Sequence, residues 1–151
     1  MRVALSIMAV IGCVSGLFFP SLSQAAEQRY ECAAEGITGF MFSAGEGAWK
    51  GASDRVDTKL LIVPQEKSRG MAYMVYRVGQ QYADAYCKED FNEYGYLNCQ
   101  KGSWVFRFNK RSGRFLYVSA EGYINVVPEL KITDETSAAP YMLIGKCSLK
   151  Q

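Results

Sequence analysis

The residues able to do chemistry gather in two places. CKEDFNEYGYLNC, residues 87–99, sets Glu89, Asp90 and Glu93 among Phe91, Tyr94 and Tyr96, between two cysteines. From Lys101 to Arg114 the charge reverses: Lys101, Arg107, Lys110, Arg111 and Arg114 occur with no acid among them. The first cluster admits three chemistries. Two carboxylates can share acid and base roles in glycoside cleavage. Clustered oxygen ligands can hold calcium. Acids and rings displayed on a loop can dock a basic protein, the rings as anchors and the charge as steering.

The first two fit poorly. KEDFNE lacks the alternating ligands and the glycine of a calcium loop, and three acids on one short loop ordinarily make a solvated loop. Docking is the expectation that remains, carried by Glu89, Asp90, Phe91, Glu93, Tyr94 and Tyr96, with Lys110, Arg111 and Arg114 as a second charged set. The competing fate of the rings is to fold back as core, and for Tyr94 and Tyr96 the sequence does not choose. The basic segment, interleaved with Trp104, Phe106 and Phe108, has the outline of a strand-based nucleic-acid platform. Those rings share one strand face and read better as core, with Lys110, Arg111 and Arg114 at a hairpin tip. The whole chain carries 17 basic and 15 acidic residues, too even a balance for a field that gathers polyanions. No nucleic-acid partner is expected.

Absent residues exclude more. With no histidine in the chain, there is no Ser-His-Asp or Cys-His machinery and no histidine base. Without CxxC, neither a zinc cluster nor a thioredoxin-type pair is expected. GEGAWKG, residues 45–51, lacks both GxGxxG and a GK[ST] ending; it reads as a turn into a strand, with Trp49 as core. A non-enzymatic protein without cofactor or metal is expected.

Five cysteines set the framework. Arg2, the apolar run Val3–Phe19, Pro20 and the small residues Ser23 and Ala25 read as a secretory signal peptide over residues 1–25, cleaved after Ala25. VIGC, ending at Cys13, also matches a lipobox and offers a lipid anchor as the competing reading. Against it, Cys13 lies early and VSGLFF after it stays apolar. Removing 25 residues leaves 126 of the 151, enough for a single all-β domain over 26–151. Four cysteines remain, and three pairings exist for them. Cys87–Cys99 and Cys32–Cys147 are favoured, because the first and last strands of a closed sheet lie side by side. No later run is long enough to span a bilayer. The expected place is the periplasm or the medium.

These residues must be carried by strands. SWVFRFN, 103–109, alternates, and GRFLYVSA, 113–120, follows a short glycine-containing turn. YEC, ITGFMFS after a turn at Gly36, TKLLIVP, MAYMVYRVG, YADAYC, YGYLNC, YINVV at 123–127 and YMLIGKC at 141–147 supply the others. No convincing helix of ten residues appears. The expected fold is all-β: a small antiparallel barrel, or a barrel-like sandwich, of about eight or nine short strands.

ITGFMF, FRFNKRSGRFLYVSAEGY and PYMLIGKCS resemble a group of small exported proteins of proteobacteria without an assigned activity. The resemblance implies an envelope or secreted protein and carries over no catalytic residue. YEC at 30–32 and Cys147 are also similar to one family of periplasmic lysozyme inhibitors, small stapled barrels whose target is basic; SGRF at 112–115 echoes that family's Ser-Gly loop only in part. Two further readings stay open. A lipocalin-like carrier requires Trp104, Phe106, Phe108, Phe115 and Tyr117 to line a cavity rather than fill it. A purely structural envelope protein requires no site at all.

Overall fold

Alternation builds the sheet. In Trp104–Asn109 and Arg114–Ser119 the buried positions are Phe106, Phe108, Phe115, Tyr117 and Ser119, every second residue, so each strand turns one side inward and the other to solvent. The computed structural model describes residues 28–66 and 70–150. The leader at 1–25, its cleavage after Ala25 and the lipobox Cys13 lie outside the described residues.

Among the described residues nine strands follow in chain order: β1 Arg29–Ser43, β2 Ala48–Asp54, β3 Lys59–Pro64, β4 Tyr73–Arg77, β5 Ala83–Cys87, β6 Tyr96–Lys101, β7 Trp104–Asn109, β8 Arg114–Ser119 and β9 Tyr141–Lys150. Eight of them, all but β2, close into an antiparallel barrel in the order β1-β3-β4-β5-β6-β7-β8-β9, with β9 back on β1. β2 pairs with the second half of β1, beyond the point where β3 leaves it. The fold is thus an eight-stranded barrel with one extra strand. Among the described residues no helix is long and apolar enough to cross a membrane.

The closing seam is long. β1 and β9 pair from Arg29 opposite Lys150 to Gly39 opposite Tyr141. Cys32 and Cys147 face each other in that register and are disulfide-bonded, as are Cys87 and Cys99 on β5 and β6. Two disulfides fit an oxidising compartment. Gly145 lets the seam close: a Cβ there would lie 2.2 Å from the Ala33 carbonyl oxygen and 2.6 Å from the Phe115 ring.

The interior is occupied by side chains. Tyr117, Phe106, Phe108, Leu60, Ile62, Leu97, Leu143 and Val75 are fully buried, each worth about 1.5–3 kcal/mol over its exposed state. Phe106 stacks on Phe115 with ring centres 5.6 Å apart, and Tyr30 meets Phe108 edge-on at 5.0 Å.

Several expected elements differ. Gly36 makes no turn. β1 runs straight through it, and the register with β9 slips between Ala34 and Gly36, so Glu35 is a bulge. The bend that glycine suggested is absorbed inside a strand. YINVV forms no strand: Tyr123–Asn125 and Pro128–Leu130 are single 3₁₀ turns. β9 already occupies the edge of β8 through Ser119 opposite Tyr141, so 123–127 cannot continue the barrel beside β8, and Val127 makes only an isolated bridge with Ile132. Trp49 is not core. It is half-buried, donates from Nε1 to Asp134 at 2.7 Å and packs on Tyr123 at 5.6 Å.

Candidate functional site

The barrel has two ends. Pro64, Tyr73, Cys87, Tyr96, Asn109 and Arg114 lie at the one that carries the 88–95 connection. Lys59, Arg77, Ala83, Lys101, Trp104, Ser119 and Tyr141 lie at the other, where the β1–β2 hairpin projects.

At the first end the structure brings the two charged clusters together. The connection between β5 and β6 folds onto the β7–β8 turn. Lys110 N donates to Gly95 O at 2.9 Å, and Arg111 Nη2 donates to Glu93 O at 2.6 Å. Asn92 organises the loop from inside: its Oδ1 accepts from Tyr94 N at 3.1 Å and Tyr96 N at 2.8 Å, while its own N–H donates to Tyr96 O at 3.0 Å. Gly95 is obligatory, with φ of +85° and a virtual Cβ only 3.0 Å from Arg111 Cγ.

This fixes the fate of each ring. Phe91 turns inward, 5.4 Å from Tyr73, 5.7 Å from Tyr30 and 5.8 Å from Phe108. Lys110 Nζ lies over its outer face at 4.6 Å. As a surface anchor Phe91 is therefore a correction: the apolar floor of Tyr30 and Phe108 draws it in, and it pins the loop rather than offering itself. Tyr94 and Tyr96 take the other course and remain 62% and 47% exposed.

Glu89, Asp90 and Glu93 are exposed, and none joins an ion pair among the described residues. Asp90 Oδ1 accepts from Phe91 N at 2.6 Å. Burial raises the Tyr30 phenol above its ordinary pKa, and the Asp90 charge adds to the effect. Arg114 opens β8 opposite Lys146 of β9, exposed on the far flank of the turn.

An open cleft of about 730 Å³ adjoins the loop on the outer face of β5, β6 and β7. Glu89, Asp90, Asn92 and Tyr96 border it on the loop side, and Asn98, Lys101 and Arg107 are among its sheet-side walls. Its position follows from a thin ladder: β5 and β6 are paired only at Tyr86 opposite Gln100. The sheet side of the cleft is basic, and the loop side is mixed, with Lys88 beside Glu89 and Asp90.

At the opposite end lies a cluster the sequence did not reveal. In β5 the register slips between Ala85 and Ala83, and the extra residue is Asp84. Alternation through YADAYC sends Asp84 outward with Tyr82 and Tyr86; the bulge turns it in, where it is 2% exposed. Arg77 Nη2 sits 3.3 Å from Asp84 Oδ2 and donates to the Tyr141 hydroxyl at 2.9 Å; the Tyr117 hydroxyl lies 3.5 Å from the same carboxylate oxygen. Burial pushes the Tyr117 phenol well above its ordinary pKa, with Tyr141 and Asp84 adding to it. Burial works against the Arg77 charge, but Tyr141 and Asp84 outweigh it and hold that pKa above the ordinary value. Arg77 Nε and Trp104 Nε1 are buried without a hydrogen-bond partner among the described residues. The group reads as a polar plug of the barrel. Only a register slip could have announced it, and YADAYC contains neither glycine nor proline to mark one.

Among the described residues no three histidine, cysteine, aspartate or glutamate side chains are grouped to hold a metal ion. No family model matches the chain, and no curated protein and no solved structure matches it either.

Proposed function

We propose that this chain is an exported, non-enzymatic protein of the bacterial envelope that acts as a protein-binding module, with the 88–96 loop as its docking surface and a basic protein as its partner. One observation carries the reading. The loop backbone is held by Asn92, Arg111 and the inward Phe91, while Glu89, Asp90, Glu93, Tyr94 and Tyr96 stay exposed on it. A surface ordered before contact loses less conformational freedom on binding. Exposed tyrosines contribute contact area, and unpaired carboxylates speed encounter with a cationic patch. Two disulfides suit the periplasm or the medium. The carrier reading is weaker, because Phe106, Phe108, Phe115 and Tyr117 are buried against one another and their neighbours where a ligand would sit.

The test is a pull-down from envelope extract and from a panel of lysozymes, using oxidised protein purified from a bacterial periplasm as bait. Its control is the triple variant Glu89→Lys, Asp90→Lys, Glu93→Lys. A protein held by the wild type and released by the triple variant, with an association rate that falls as salt rises, is the expected result. Equal retention by both baits, or none by either, overturns the proposal. Native mass spectrometry for a bound small molecule would then decide between carrier and structural protein.

A further inference from the structure

β2 is the one strand outside the closed ring, and among the described residues its outer edge pairs with nothing. Of its seven residues all but Trp49 are exposed. Natural sheets blunt such edges with proline, bulges, very short strands or charged side chains, and of these β2 carries only its charges, Lys50 and Asp54. β2 contains no proline and runs from Ala48 to Asp54 against β1 without a register slip. It is an open template for another strand.

We propose that this edge pairs with the same edge of a second copy, antiparallel about a two-fold axis through Ala52. The register follows from two constraints. In an antiparallel ladder alternate residues turn their N–H and C=O groups toward the same edge. Two copies of one strand can therefore pair only when that alternate set meets itself, so the axis falls on a residue and never between two. Charge then selects among the residues. An axis at Lys50 sets Lys50 against itself, and one at Asp54 sets Asp54 against itself; like charges directly opposite are destabilising. Axes at Gly51 or Ser53 leave both charges facing neutral residues. Only the axis at Ala52 puts Lys50 opposite the Asp54 of the second copy, twice, with the small Gly51 and Ser53 facing each other between them. The same register brings Arg55 opposite the second copy's Trp49.

The neighbouring strand agrees. Phe40 lies opposite Gly51 and Met41 opposite Lys50. Cross-strand partners share a face, so the two apolar side chains stand on opposite faces of the hairpin, 55% and 61% exposed. Gly51 offers Phe40 no cover. In a four-stranded sheet β1-β2-β2-β1 the second copy's Ser53 would lie beyond Gly51 on the Phe40 face, and its Asp54 beyond Lys50 on the Met41 face. In one copy Lys50 contacts Glu46 and Asp54 Oδ1 accepts from Arg55 N; these are exposed contacts that yield readily. The hairpin projects from the end opposite the acidic loop, so pairing leaves that loop open on both copies.

Sedimentation equilibrium over a concentration series tests this, on oxidised protein purified from a bacterial periplasm, with Lys50→Glu, Asp54→Lys and the double variant. Far-UV circular dichroism checks that each is folded. The wild type is expected to dimerise. Each single reversal should weaken association at least about tenfold, since it turns two attractions into two repulsions, and the double variant should recover it. A wild type that stays monomeric throughout overturns the proposal, even if the edge takes up an extended peptide instead. So does a dimer indifferent to the reversals, or a double variant that recovers nothing.

Discussion

Replacing Phe91 by alanine separates a ring that holds the loop from a ring that holds a partner. The wild-type ring meets Tyr73, Tyr30 and Phe108 at 5.4, 5.7 and 5.8 Å and carries Lys110 at 4.6 Å. Each ring pair is worth about 0.5–1.5 kcal/mol beyond burial, and a partly exposed cation–π contact about 0.5–1 kcal/mol. Truncating a fully buried phenylalanine costs about 3–5 kcal/mol. Phe91 is half-buried, so the expected loss is about 2–3 kcal/mol. Urea unfolding of the oxidised protein reads this as a drop of about 1–2 M in midpoint, with no partner present. Protease cleavage within 88–95 should rise in parallel. Phe91→Leu keeps apolar volume and should lose about 1 kcal/mol or less, and Tyr94→Ala, at an exposed position, close to nothing. If Phe91→Ala stays within about 0.5 kcal/mol of wild type and its loop resists protease as before, the ring does not hold the loop and the argument for a pre-ordered surface falls with it.

Three further outcomes follow from the barrel. Asp84→Ala strips Arg77 of its carboxylate; a broken buried pair costs about 3–5 kcal/mol, less here because Arg77 is about one-third exposed, so thermal unfolding should come roughly 10 °C earlier, and an unchanged midpoint would refute the plug. Tyr117 has a folded pKa raised above its ordinary 10.0, so its contribution is whole below about pH 10 and is lost as pH climbs further; Tyr117→Phe should keep more of its stability above that point, and coincident alkaline unfolding curves would contradict it. Gly145→Ala forces a methyl to 2.2 Å from the Ala33 carbonyl oxygen, so the β1–β9 seam must part at a loss of about 3 kcal/mol or more; a urea midpoint equal to wild type would show that the seam can yield.

Much of the barrel was legible because a closed sheet has one inside. SWVFRFN and GRFLYVSA announce their faces by alternation, and Cys32 with Cys147 could be paired from the single premise that first and last strands meet. Bulges were not legible. Glu35 and Asp84 each shift the count by one; beside Glu35 the glycine at 36 reads equally as a turn, and nothing local marks Asp84. YINVV has strand composition, but β9 has taken the β8 edge it would follow onto, a fact about the whole sheet and not about five residues. The docking loop was half legible. Its charges and cysteines stood out, yet Phe91, Tyr94 and Tyr96 look alike in the chain; only the apolar floor beneath the loop decides which one turns in. That Lys110 and Arg111 pack against the acidic loop also depends on β7 returning beside β6, which spacing does not record.

The seam between β1 and β9 also governs the order in which this chain can mature. Cys32 and Cys147 are separated by 115 positions and Cys87 and Cys99 by only 12. As the polypeptide emerges from N- to C-terminus, Cys32 meets Cys87 and then Cys99 long before its true mate exists, and β1 waits with its β9 edge bare. An oxidant acting on partners in order of appearance would staple the wrong pair. Contacts of such large sequence separation also form late and slowly. High yield in the oxidised state therefore calls for oxidation delayed until the last strand is delivered, or for an isomerase that reopens early mistakes.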